Sequence, residues 1–253
     1  MKKLKTFVTG LTLLFSYAGY AQSTKTSVAD GDWKNPNVWS PAGVPYLVDT
    51  VIINTNITFN TDLDARDAAK KLFLINSGAS LKKESSVSNS LILVLGGNTI
   101  IAESFINKGQ IQSDEIAVGK LIYFTNKGTI QASNHLTIVS DTMNNEQGAS
   151  IMVGKFIAGS GFTDNKGEIH STLLFGTFFN SIGGIVNSDS LVGDFTNNGE
   201  IQASFLSGGS ASFFSNNLEG IIHTNELIAL NASNNGEIEV SNYCLLNELI
   251  NNQ

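Results

Sequence analysis

Three histidines, one cysteine and 22 carboxylates are the side chains of this 253-residue chain best suited to acid–base, nucleophilic or metal chemistry. Their spacing decides what they can do. His135, His170 and His223 lie 35 and 53 residues apart, so none forms the His-x-x-x-His pair that puts two imidazoles on one metal. Cys244 is the only cysteine, which excludes an internal disulfide and a paired-thiolate zinc site. No glycine-rich phosphate loop, serine nucleophile elbow or calcium-binding nonapeptide occurs. No catalytic residue, metal ligand or cofactor-binding residue is assigned from these patterns, and no cofactor is expected.

Any chemistry left to the carboxylates depends on what brings them together. A short phrase recurs: Phe105-Ile106-Asn107-Lys108-Gly109-Gln110-Ile111, Phe124-Thr125-Asn126-Lys127-Gly128-Thr129-Ile130, Phe195-Thr196-Asn197-Asn198-Gly199-Glu200-Ile201. Its Ile falls at 111, 130, 151, 169, 185, 201, 222 and 238, at intervals of 16 to 21 residues. The asparagine column reads Asn107, Asn126, Asn145, Asn165, Asn180, Asn197, Asn217 and Asn234, and the glycine column Gly109, Gly128, Gly148, Gly167, Gly183, Gly199, Gly220 and Gly236. A unit this short cannot bury its own apolar face, so repetition means stacking.

Asn and Gly cut each unit and are poor in helices. Short alternating runs follow, such as Leu136-Thr137-Ile138-Val139, which is strand periodicity. The expected fold is all-β: a right-handed parallel β-helix, or β-solenoid, the hand following the general preference of parallel crossovers. Strands about 4.8 Å apart would make eight coils a rod of roughly 38 Å. The asparagines are expected to form an amide ladder that satisfies backbone groups at a tight corner. The glycines are expected to supply positive φ there, the phenylalanines to stack at one edge, and the isoleucines to fill the core. Cys244 falls at an apolar position of the last unit and is expected to be buried and inert.

Placed on stacked coils, the reactive side chains stay apart. Glu168, Glu200 and Glu237 share a column but occupy alternate coils, about 10 Å apart, whereas glycoside hydrolysis needs a carboxyl pair roughly 5 to 9 Å apart. His170 and His223 share another column three coils apart, about 14 Å, too far for one zinc ion. Asp189 and Asp194 are close in sequence, with no third group joining them.

The N-terminal part differs. Lys2, Lys3 and Lys5 precede an apolar run, residues 7–15, and Gly19-Tyr20-Ala21, so residues 1–21 are expected to be a signal peptide. The run is too short to span a membrane, and no other run of spanning length follows. Residues 22–60 are read as an N-terminal cap with the first strands, and residues 61–253 as the β-helix repeats. The stretch 30–45 holds both tryptophans and all three prolines, with Trp33, Trp39 and Pro45 as its marks. It lies directly before the first strands and is read as a lid over the open end of the core, in preference to an aromatic platform for sugar rings. Residues 62–71 are the one stretch that suits a helical turn or a polar loop.

The pattern Gly31-x-Trp33, Trp39, Pro45, Asp49-x-Val51-x-Ile53, continued by Leu72-Phe73-Leu74-Ile75-Asn76-Ser77-Gly78-Ala79-Ser80-Leu81, resembles the opening of secreted β-helix proteins common in Bacteroidetes, some of them related to the G8 domain. The resemblance implies a pectin-lyase-like fold and export. Many such proteins end in a sorting domain, which the last residues, 249–253, do not resemble. β-Helices of this kind often carry polysaccharide lyases, whose Arg or Lys base stands beside calcium-binding carboxylates. The one arginine here, Arg66, falls before the recurring phrase begins at Phe105.

Loss of the three signal lysines takes the formal charge from −7 to −10, and beyond Lys166 stand nine carboxylates and no Lys or Arg. That excludes nucleic acid and anionic lipid as expected partners. The favoured expectation is a secreted or cell-surface, non-catalytic, structural or adhesin-like rod that contacts glycans, with the periplasm as the other location. Its partners would be extracellular polysaccharide or another surface protein, with self-association through the C-terminal coil. The alternative is a carbohydrate-active enzyme, lyase or hydrolase, or an inactive remnant of one.

Overall fold

Each pass of the chain lays strands beside those of the pass before, in parallel and almost without offset. Gln110–Asn126 pairs with Thr129–Asn145 from Gln110↔Thr129 to Asn126↔Asn145, broken only by register shifts after Ser113 and after Val118. Those two shifts divide the coil into three strand segments, 110–113, 115–118 and 121–126. The computed structural model describes residues 24–46, 48–60, 63–64, 68–84, 90–94, 102–159, 161–208 and 213–251. The expected signal segment, 1–21, and Arg66 lie outside them. Within them the chain forms a β-solenoid of about nine turns. Strand accounts for 72% and helix for 2%, so stacking carries the fold. Of the stretch 62–71 the described residues hold strand at Leu63–Asp64 and the start of the next strand, Ala69–Ile75. No helix of the described residues is long and apolar enough to cross a membrane.

Three inward columns run through most of the core. The first holds Ile111, Ile130, Ile151, Ile169, Val186, Ile201 and Ile222, none more than 2% exposed. Burial of each such side chain contributes about 1.5–3 kcal/mol. The second runs through Ile116, Leu136, Phe156, Leu174, Leu191, Leu206 and Leu227. The third holds two aromatic runs separated by Met143 and Thr163: Phe105 stacks on Phe124 at 5.1 Å and Phe178 on Phe195 at 5.8 Å. The register corrects the first column at one place. Val186, not Ile185, pairs with Ile169, and Ile185 stands opposite Glu168 on the outer side.

The cause is a turn of two lengths. After the ladder asparagine, Asn126, Asn165 and Asn197 reach the core aliphatic residue in four steps, whereas Asn145, Asn180 and Asn216 take six. The two added residues form an exposed tip: Gln147 and Gly148, Ile182 and Gly183, Leu218 and Glu219. Only at such tips do glycines of the predicted column take positive φ, +79° at Gly148 and +81° at Gly183. The buried position in those coils belongs to Ala149 and Gly184. Elsewhere in the column the reason for glycine is close approach: a Cβ on Gly109, Gly128, Gly167 or Gly199 would collide with a backbone carbonyl oxygen of the coil beneath.

The N-terminal stretch closes one end as a continuation of the sheet. Thr24–Ser27 pairs in parallel with Val48–Ile53, and Gly31–Asp32 with Asn56–Phe59. Trp33 stacks on Phe73 at 6.1 Å, and Trp39 meets Trp33 edge-on at 4.9 Å, with its Nε1–H donated to the Trp33 carbonyl at 3.0 Å. Both indoles are buried, and so is Pro45. Neither ring is displayed to a sugar. The Asp30 carboxylate accepts the backbone N–H and the side-chain amide of Asn56, at 2.8 and 3.1 Å, and these bonds hold its pKa below the ordinary aspartate value.

The far end is different. Glu237–Asn251 pairs with Ile221–Asn234, and among the described residues nothing pairs with its outer edge. Cys244 lies in register with buried Leu227, in the second core column, yet its side chain is exposed because, among the described residues, no coil lies on top of it. The expectation of a buried thiol is corrected by that missing neighbour. Tyr243 and Leu245 are about half exposed on the same strand.

Candidate functional site

The predicted asparagine column is brought together in a continuous chain of amides inside one corner of the coil. Each side chain donates Nδ2–H to the Oδ1 of the next: Asn107 to Asn126, Asn126 to Asn145, Asn145 to Asn165 and Asn165 to Asn180 at 2.8 Å, then Asn180 to Asn197 and Asn197 to Asn216 at 2.9 Å. Asn216 donates to Asn234 at 2.9 Å. The second amide proton goes to a backbone carbonyl, as from Asn165 to Ile185 at 3.3 Å, and Asn107 and Asn197 also accept the N–H of Gly109 and Gly199. From Asn107 to Asn216 these side chains are wholly buried. Asn217 is a correction: the long turn shifts the count, Asn216 takes the ladder place, and Asn217 bonds Asn198 at 2.8 Å in a half-exposed pair outside it. A buried, fully bonded ladder holds coils in register and offers nothing to a ligand.

The accessible chemistry lies at another corner. The residue after each core aliphatic points outward, and by register these form one column: Gln112, Gln131, Met152, His170, Asn187, Gln202, His223 and Glu239. The next residue turns inward and is small: Ser113, Ala132, Val153, Ser171, Ser188, Ala203, Thr224 and Val240. The residue after that, such as Thr172, Asp189, Ser204 or Asn225, points out again at the bend. Two outward walls over a floor of small side chains enclose a groove of about 840 Å³ along the C-terminal coils. A second one of about 440 Å³ continues it past Met152 and Val153 to Lys83. Together they follow the rod for on the order of 38 Å, eight strand spacings.

Floor hydroxyls are satisfied internally: Ser171 donates to Ser188 at 3.0 Å, Ser188 to the Ser190 carbonyl at 2.8 Å and Thr224 to the Glu226 carbonyl at 2.9 Å. The walls keep open bonding capacity. His170 lies between Asn187 Nδ2 and Glu168 Oε2, each at 3.4 Å. An amide nitrogen only donates, so Nδ1 of the neutral ring accepts and Nε2–H faces the carboxylate. His223 makes the opposite choice, with Nδ1–H on Glu239 Oε2 at 3.0 Å and Nε2 left over. At the N-terminal end Lys83 is paired with Asp114, which also accepts Ser133 Oγ at 2.7 Å. In the larger groove the lining contains no Lys or Arg, and Asp189 stands exposed on its wall with no hydrogen bond or ion pair among the described residues.

His170 and His223 do share a column, separated by Asn187 and Gln202, so about 14 Å apart by strand spacing. His135 belongs to the adjacent segment, in register with Glu115 and Lys155. Glu168, Glu200 and Glu237 alternate with Ile185 and Ile221, which keeps them two coils apart, about 10 Å. Asp189 and Asp194 flank the short segment 190–192 from opposite ends. Among the described residues no three His, Cys, Asp or Glu side chains stand close enough to hold a metal ion. Of the groove residues, Asp189 was considered from the sequence only beside Asp194, and Asn187, Gln202 and Asn225 were not singled out. The signal present there was the run of amides one place after the core aliphatic.

No family model, no curated protein and no solved structure matches the chain.

Proposed function

We propose that this protein is a secreted, non-catalytic rod that holds a linear polysaccharide along its groove and so serves as an adhesive or structural element outside the cell. The observation that carries this reading is the groove itself: a straight channel of amides, hydroxyls and imidazoles repeated once per coil, the form that suits a chain with a hydrogen-bonding hydroxyl pattern of its own. Export is supported by the basic, apolar and small-x-small sequence of residues 1–21. On the groove walls Asp189 stands alone and Glu239 is bonded to His223, which supports binding without turnover.

A lyase is the second reading, favoured by one pair. The Glu239 carboxylate holds the His223 imidazole with Nε2 unbonded, an arrangement able to remove a proton from a bound chain. Calorimetric titration with neutral, acidic and amino-bearing polysaccharides, together with assays for new reducing ends and unsaturated products, separates the two. Binding without product is the expected result. Product formation that His223→Ala abolishes would replace the first reading by the second.

A further inference from the structure

We infer, resting on the polysaccharide reading above, that the groove selects a linear glycan bearing free amino groups, and that Asp189 is the residue that reads them. The larger groove is lined by hydrogen-bonding side chains with not one ammonium or guanidinium among them. A uronate or sulfate on a bound chain would find no cation there. It would meet Asp189 and Glu239 on the walls, with Glu168 behind His170. Two of these carboxylates are occupied, Glu239 by His223 and Glu168 by His170. Asp189 has no such partner and lies between Thr172 and Ser204 at the bend, where a chain in the channel must pass.

The surrounding field has the same sign. Every Lys and Arg of the chain precedes residue 167, and nine carboxylates follow it, so the groove's coils from His170 onward carry acid alone, and Lys155 and Lys166 belong to the first coil, that of Met152 and Val153. A protonated amine gains from that field at long range and from Asp189 at contact, while an N-acetylated residue of the same backbone gains from neither. One contact of opposite charges about 4 Å apart in water corresponds to roughly a five-fold change in affinity, more where the groove excludes solvent. Salt should erase the long-range part first, since the screening length is about 10 Å at 0.1 M.

The test compares three probes below neutral pH at low salt: a glucosamine hexamer, the fully N-acetylated hexamer and an oligogalacturonate. The full chain is titrated calorimetrically with each. The glucosamine hexamer should bind at least about five-fold tighter than its acetylated form, and the galacturonate should not bind. Asp189→Asn should remove most of the difference, whereas Glu219→Gln, at an exposed turn tip on another edge, should leave it in place. Equal binding of the two hexamers, or tighter binding of the galacturonate, overturns the amine selection and leaves the polysaccharide reading standing. An equal effect of Glu219→Gln and Asp189→Asn also overturns it, since the charge would then act from the whole surface. If none of the three binds, the polysaccharide reading has failed and the selection falls with it.

Discussion

Gly128 stacks so directly on Gly109 that a Cβ added to it would overlap the Gly109 carbonyl oxygen. Glycine is therefore required here by the coil spacing. At Gly148 the opposite holds: φ is +79° and the space around it is open. The two kinds of glycine should respond differently. Gly128→Ala should cost toward the upper end of the roughly 1–3 kcal/mol of overpacking, and Gly128→Asn no less. Gly148→Ala should cost about 1–2 kcal/mol for left-handed backbone, and Gly148→Asn less, since Asn tolerates that region. Urea unfolding of the four variants checks the order. Equal costs at the two sites would mean that the coils spread readily.

Asn165→Ala or Asn197→Ala should destabilise the rod by about 1–3 kcal/mol, because each leaves buried donors and acceptors unpaired in both neighbouring coils. Asn216→Ala should match them. Asn217→Ala, which removes one half-exposed bond to Asn198, should cost about 0.5–1 kcal/mol. If Asn217→Ala proves the more damaging of that adjacent pair, the register of the ladder is wrong.

Deletion of residues 30–45 removes Trp33 and Trp39 from the first coil and frees a strand edge at Asn56–Phe59. Aggregation is the expected consequence, followed by light scattering. A truncated protein that stays monomeric and fully folded would show that the stretch is an appendage.

Acid should loosen the same cap. Because its bonds to Asn56 lower the pKa of Asp30, their contribution is present above the ordinary aspartate pKa and is lost as pH falls below it through the folded value. Amide exchange at Asn56 should speed up across that window in the native chain and show no such step in Asp30→Asn. A step that survives the substitution would assign the transition to another group.

At the other end, the open edge of Glu237–Asn251 should pair with a second copy of itself. Exposed Tyr243, Cys244 and Leu245 favour contact, while Glu237 and Glu239 oppose it until salt screens them. Sedimentation should show association rising with ionic strength, and Cys244 should react quickly with a thiol reagent in the monomer and slowly in the pair. A strict monomer at low and high salt would dispose of the idea.

The solenoid was legible because its period is carried by residues with few alternatives: a buried amide and a glycine that cannot bear a Cβ. Registry failed where the turn lengthened. Two residues added at an exposed tip leave every local pattern intact, so Ile185 and Asn217 looked as suitable as Val186 and Asn216. Cys244 shows another limit. Its position in an apolar column was readable, but whether a column is covered depends on the coil beyond it. The groove was hidden for a related reason: Asn187 and Asp189 belong to different walls, and only the bend over small floor residues brings the walls face to face.

The amides of the ladder all point the same way. Every Oδ1 faces the preceding coil and every Nδ2 the following one, from Asn107 through Asn234. Aligned dipoles of this kind add, whereas those of the strands around them largely cancel. The rod thus has an electrical axis sheathed in its core, with its positive pole toward Asn234, at the acidic end of the chain. Buried as far as Asn216, that axis is shielded from dissolved ions, and its positive pole lies by Glu237 and Glu239 of the last strand.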